Sequence, residues 1–144
     1  MADHLSKEAR SRLMSRVKGR DTKPELAVRS ALHRAGFRFR LHRRDLPGRP
    51  DVVLPRFKTV IFVHGCFWHG HDCKRGKLPS SNKSFWTTKI SGNVRRDKAN
   101  SDALRDLGWS TITIWECGLD HGLTKAIRLL RRRKHRLALS DRGN

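Results

Sequence analysis

Apolar residues recur at helical spacing in four stretches of the chain and alternate or run together in four short ones, and the order of these patterns predicts the architecture. Residues 7–18 read as a short helix capped by Ser6 and closed by Gly19. Its stripe of Leu5, Leu13, Met14 and Val17 is too thin to bury much. Thr22-Lys23-Pro24-Glu25 has the form of a capping box with proline in the first turn, and Leu26, Val28, Ala31 and Leu32 carry a second helix as far as Gly36. The run Phe37-Arg38-Phe39-Arg40-Leu41 alternates with period two, predicting a strand with one wet, cationic face. After a loop containing Pro47, Gly48 and Pro50, Val52-Val53-Leu54 and Thr59-Val60-Ile61-Phe62-Val63 are two short apolar strands, paired as a hairpin through a turn over 55–58. Residues 65–82 are irregular and rich in His, Cys, Gly and Pro. Ser84 can cap a long polar helix that runs to about residue 107 and stops at Gly108. Residues 109–115 (WSTITIW) form a further core strand, to whose packing Trp109 and Trp115 are assigned, and residues 123–139 a closing basic helix. The order α, β, β, β, long α, β, α predicts an α/β fold with a mixed sheet flanked by helices.

A length of 144 residues suits one domain, and 36% hydrophobic residues, with six Phe and four Trp, suffice for a small core that benefits from a staple. Disorder throughout is excluded. Lys and Arg number 33 against 13 Asp and Glu, a net charge of +20 whose self-repulsion points to a polyanionic partner, nucleic acid first. The charge concentrates at the ends: six basic residues against Glu8 over 7–20, and seven with no acid over 125–136. The second run is most simply a solvated helix face, and such faces bind phosphate without reading sequence. No window approaches the roughly 20 apolar residues of a membrane span, and no apolar signal segment opens the chain. We therefore expect a cytoplasmic protein without a membrane partner, built as a basic arm over 1–20, a single domain over 21–139 and a short tail over 140–144.

Three constellations carry chemistry. Cys66, His71 and Cys73 lie within eight residues beside a Gly-rich turn, and Cys117 follows the last strand; together they supply a Cys₃His set for tetrahedral zinc, tying the irregular loop to the core. The alternative is three buried core cysteines, and His64 and His69 remain as other candidate ligands. Asp51 opens one hairpin strand and His64 ends the other, so both should project into one space beside the loop carrying His69. A carboxylate with neighbouring carbonyls and imidazoles is the equipment of Mg²⁺-assisted phosphodiester hydrolysis, although a plain turn and an exposed loop would also account for these residues. Glu25 can serve as the third residue of its capping box or orient a histidine across the cleft. The third constellation is aromatic: Phe67 and Trp68 are consecutive in a polar loop, and Phe85-Trp86 form a second pair. At least one of Phe67 and Trp68 should be exposed or partly exposed, either to stack on or enter between bases, or to cover the metal loop.

LPGRPD at 46–51, VIFVHGCFWHGHDC at 60–73, FWTTKI at 85–90 and WECGL at 115–119 together resemble the very-short-patch repair endonucleases, over roughly residues 20–119. The resemblance implies a restriction-endonuclease-like fold and strand-specific nicking of duplex DNA, 5′ of the thymine in T:G mismatches left by 5-methylcytosine deamination. It implies Mg²⁺ held by Asp51 and the main-chain carbonyl of Val63, His69 as general base with Glu25 in support, and His64 as a phosphate or leaving-group partner. Cys66, His71, Cys73 and Cys117 would hold structural Zn²⁺. Phe67, Trp68 and Trp86 would be the wedge that opens the stack, with the arm containing Met14 gripping the other side. Val63 stands where the family commonly has threonine, which a main-chain carbonyl role tolerates. The histidine run after Trp68 is reduced to His69-Gly70-His71-Asp72.

The expected protein is thus a monomeric, Mg²⁺-dependent, zinc-stabilised mismatch endonuclease, acting at the bacterial nucleoid ahead of a repair polymerase and a ligase. The rivals are a restriction-type or structure-selective nuclease with another target, and a zinc-stapled DNA-binding module without catalysis.

Overall fold

The computed structural model describes residues 22–142, so the helix expected over 7–18, and with it Met14, lies outside the described residues. Helix α1 (Lys23–Arg34) starts at Thr22, whose Oγ1 accepts from the Glu25 N–H at 3.4 Å, and has proline in its first turn as predicted. Gly36 follows it at φ +86°. Strands β1 (Val52–Leu54) and β2 (Thr59–His64) form the expected antiparallel hairpin, with Val53 opposite Val60. The long helix α2 (Lys83–Asp106) crosses back, and β3 (Ser110–Trp115) pairs parallel with β2, bringing Trp115 level with His64. Helix α3 (Leu119–Arg142) closes the described chain, beginning four residues earlier and ending three later than its sequence pattern indicates. The sheet is mixed and three-stranded, in the order β1-β2-β3.

Two expectations need correction. Residues 37–41 do not form a strand: the Phe37 N–H is taken by Leu32 O at the end of α1, and His42 turns into the left-handed region at φ +58°. Only Arg40 between them pairs, exchanging both main-chain hydrogen bonds with Val53. The period-two alternation remains, with Phe37 buried and Arg38 and Arg40 exposed, but the flanks leave no room for a ladder. The cap of α2 is not Ser84. The helix begins at Lys83 behind Asn82, which supplies the turn through a left-handed backbone at φ +53° instead of a side-chain cap.

Strands β1 and β2 are buried on both faces, whereas β3 is covered fully only at Ile114 and leaves Ser110 and Thr113 exposed, and alternation along the strands sorts the two cores. Val52, Leu54, Ile61 and Ile114 pack with Val28 and Leu32 of α1 and Ala126 and Leu130 of α3. Val53, Val60 and Phe62 face the other way, against Leu104 of α2, Trp109 and Leu46. Fully buried side chains such as Ile61 and Leu104 each contribute about 1.5–3 kcal/mol of burial. Polar chemistry is thereby pushed to the strand end at Asp51 and His64.

Candidate active site

Asp51 sits one residue before β1, and its Oδ2 accepts the Val63 N–H at 2.6 Å. In an antiparallel ladder a residue's N–H and C=O leave the strand on the same side, so the Val63 carbonyl faces the Asp51 edge as well. Burial pushes the Asp51 carboxyl up to about 6, and the negative charge of Glu25 adds to the rise; the Val63 N–H, Arg29 and His69 oppose it. Glu25 is itself buried, and Arg29 Nη2 donates to its Oε2 at 3.3 Å. A cavity of about 610 Å³ joins these groups, lined by Glu25, Asp51, Val63, His64, Phe67, Trp68, His69 and Asp97 among others. Sequence reasoning named all of these except Asp97.

His69 meets Asp97 of α2, Nδ1 to Oδ2, at 2.6 Å. With the Nδ1 proton held by a carboxylate, the lone pair of the neutral ring resides on Nε2, the arrangement a general base requires. The carboxylate on His69 Nδ1 is thus Asp97, while Glu25 stands beside Asp51. His64 stacks on His69 with ring centroids 3.7 Å apart and planes 2° apart. Burial first, and then the charge of His69, hold His64 down to about 4 against the pull of Asp97, so its ring is neutral at pH 7. The Asn93 side chain donates to Trp68 O at 2.9 Å and fixes the loop on α2 from a second point.

Cys66, His71, Cys73 and Cys117 bring one ligand atom each to within 4.8 Å of all the others. Sulfurs on a tetrahedral zinc with bonds of about 2.3 Å would lie about 3.8 Å apart, so the set closes on one ion with small adjustments. Cys117 Sγ lies 3.4 Å from His71 Nδ1, and Trp115 stacks on His71 at 4.1 Å. Trp115, expected in the core, instead stands only partly buried against His64, His69 and His71, whereas Trp109 is buried as expected. The loop is drawn tight: His71 N–H donates to Cys66 O at 3.0 Å, and a Cβ on Gly76 would lie 1.9 Å from His71 O. His64 and His69, the alternative ligands, group with Asp97 instead.

Phe67 and Trp68 are both half-buried at the mouth of the cavity and meet edge to face, with centroids 5.1 Å apart. Trp86 lies beneath them, only 5% exposed, at 5.2 Å from Phe67 and 6.0 Å from Trp68. Its neighbour Phe85, the other member of the second pair, is 59% exposed and meets Trp86 edge to face at 5.1 Å.

The chain is similar to known proteins. The profile described as DNA mismatch endonuclease Vsr matches residues 2–75. The type II nicking enzyme V.XorIIP of Xanthomonas oryzae pv. oryzae is 52% identical over 119 residues, 83% of this chain and 88% of that enzyme. DNA mismatch endonuclease Vsr of Escherichia coli K12 is 44% identical, across 83% of this chain and 76% of its own length. This chain belongs to the Vsr family. As a Vsr endonuclease it is a DNA-cleaving hydrolase. The matched Vsr span holds Glu25, Asp51, His64, His69 and three of the four zinc-type ligands, while Asp97 and Cys117 lie beyond it and join through the fold. One signal for Asp97 was available: Trp86, Ile90 and Asp97 follow one another at helical spacing, an acid on the only apolar stripe of a polar helix.

Proposed function

We propose that this protein nicks one strand of duplex DNA on the 5′ side of the thymine in T:G mismatches, by Mg²⁺-dependent hydrolysis on a restriction-endonuclease-like fold. The observation that carries the reading is the single cavity in which Asp51, the His69–Asp97 pair and the Phe67–Trp68 rings meet. Oxygen donors from Asp51 and the Val63 carbonyl suit a hard divalent cation, which when bound stabilises charge on the phosphate. His69 Nε2 takes a proton from the attacking water as its oxygen bonds to phosphorus and the bond to the 3′-oxygen breaks. The departing 3′-oxygen takes up a proton from solvent water, so the products are a 3′-hydroxyl and a 5′-phosphate, ready for a polymerase and a ligase. Asp97 holds the imidazole in the required tautomer and stabilises its charged form. His64, neutral at pH 7, contributes a hydrogen bond to the phosphate in place of a proton.

Phe67 and Trp68 enter the stack beside the mismatch, where a mispaired step costs less to open than a Watson–Crick one. Trp86 backs them. Cys66, His71, Cys73 and Cys117 hold a structural zinc ion, with the arm over 1–20, including Met14, closing on the duplex and the domain over 21–139 acting as a monomer. Such a protein works in the cytoplasm, on the nucleoid.

Nicking of matched, T:G and branched duplexes, with Mg²⁺ or with EDTA, tests the reading. Mg²⁺-dependent cutting confined to T:G duplexes and lost in Asp51→Ala is expected. Equal cutting of all three duplexes would overturn mismatch specificity in favour of a broader nuclease. A wild type that binds but never nicks under Mg²⁺ would leave only a DNA-binding module.

A further inference from the structure

The basic run of α3 has no part in the cleft. Lys125, Arg128, Arg131, Arg132, His135 and Arg136 are all exposed. At 100° per residue they fall within an arc of about 140° on one side of the helix, over about 17 Å of its length. None of them forms an ion pair among the described residues, and the acids of α3, Asp120 and Asp141, lie outside the run. The opposite side is committed: Ala126 and Leu130 are in the core, Arg133 donates to Thr59 Oγ1, and Lys134 lies over the Phe37 ring at 5.7 Å. With its apolar side used inside the fold, this helix has no apolar face to offer a lipid surface. Arg133 also fixes the location. Thr59 begins β2 and His64 ends it, so the Arg133 level of the helix lies about 17 Å along the strand from the cleft end, and the cationic face runs toward it from Lys125, three residues past Gly122, which packs on Ile114.

We propose that this face is a second phosphate-binding surface, which clamps the backbone of duplex DNA outside the segment held in the catalytic cleft. Charge carries the argument. Arg128 sits three and four residues from Arg131 and Arg132, and Arg132 four from Arg136, spacings at which like charges repel along a helix. A polyanion laid across them relieves that repulsion. An exposed length of about 17 Å matches the axial rise of about five base pairs. Arginine forks also suit phosphate oxygens in pairs. The identity of the polyanion rests on the DNA-nicking reading above, whereas the surface itself rests on the helix.

The test compares the full-length protein with Arg128→Gln/Arg131→Gln/Arg132→Gln, binding T:G duplexes without Mg²⁺ over a KCl series. The plot of log affinity against log salt should lose about 2.7 from its slope, three contacts at about 0.9 each. The loss should be largest on duplexes long enough to extend past the cleft, and Arg→Lys at the same three positions should restore the slope. A melting temperature of the Gln variant at or above that of the wild type establishes that the fold is intact, since the substitutions also remove the repulsion along the helix. An unchanged slope, or a change confined to duplex RNA or to anionic vesicles, would overturn the proposal. A wild type that fails to nick would instead strike the proposed function and leave the slope comparison standing.

Discussion

Replacing Asp51 by asparagine should abolish nicking and at the same time stabilise the protein, because the carboxylate is held at a cost. Asparagine keeps the oxygen that accepts the Val63 N–H and removes the charge that burial and Glu25 oppose. The proton affinity of Asp51 rises on folding, from the ordinary 3.8 to about 6. The ionised form is therefore penalised in the native state, fully above about pH 6 and progressively less as pH falls toward 4. At about 1.4 kcal/mol per tenfold change in proton affinity, the penalty is about 3 kcal/mol at pH 7.5 and about 1 kcal/mol near pH 4.5. Urea unfolding of both proteins across that range, in buffer without Mg²⁺, should give a stability gap favouring Asp51→Asn that narrows by about 2 kcal/mol on acidification. Equal stabilities at pH 7.5, or a gap independent of pH, would refute the reasoning, since neither is compatible with a carboxylate disfavoured by its surroundings.

Asp97→Asn should leave DNA binding in place and slow single-turnover nicking by roughly 10²–10⁴-fold, the range for a mispositioned general base; a wild-type rate would remove Asp97 from the mechanism. Cys117→Ser should lower bound zinc, read by elemental analysis, and the melting temperature together, and full stability in a zinc-free protein would contradict the staple. Trp68→Ala should reduce the ratio of T:G to matched-duplex affinity more than it reduces affinity for matched DNA, both measured over a salt series; an unchanged ratio excludes Trp68 from the wedge.

The parts of the fold that could be read from sequence are those decided locally. Thr22 and Pro24 start α1, a β-branched run makes β2, and Gly108 ends the long helix before Trp109, all within a few residues of chain. Residues 37–41 misled because their alternation is real but their neighbours were not in view: Leu32 O claims the Phe37 N–H, and His42 turns the chain. At the site, Asp51 and His64 were found together because a hairpin fixes their meeting by counting residues. The His69–Asp97 pair spans 28 residues and depends on how the irregular loop lies against α2, and no local pattern specifies that. The same applies to the aromatic group, where helix rotation decides that Trp86 is covered and Phe85 exposed.

The two proposed metal functions are coupled by the chain itself. His69 lies between Cys66 and His71, and Phe67 and Trp68 fill the same interval, so the proposed zinc pins both ends of the segment that carries the proposed base and wedge. Cys117 ties that segment to the end of β3, level with His64, and Trp115 packs on His71 from the same strand. Without the ion, the interval keeps the Asn93 contact to Trp68 O, the His69–Asp97 pair, a few turn hydrogen bonds and the ring contacts of Phe67 and Trp68 with Trp86, of His69 with His64 and of His71 with Trp115. Each is worth about 0.5–3 kcal/mol, against about 10–16 kcal/mol for a structural zinc site at pH 7. Removing zinc with a selective chelator at constant excess Mg²⁺ should therefore stop nicking in proportion to the zinc lost, with a change in tryptophan fluorescence from Trp68 and Trp115. Undiminished nicking by zinc-free protein would mean that the loop holds its shape through α2 alone. The catalytic histidine would then be positioned by Asp97 and Asn93, and the cysteines would serve only the fold.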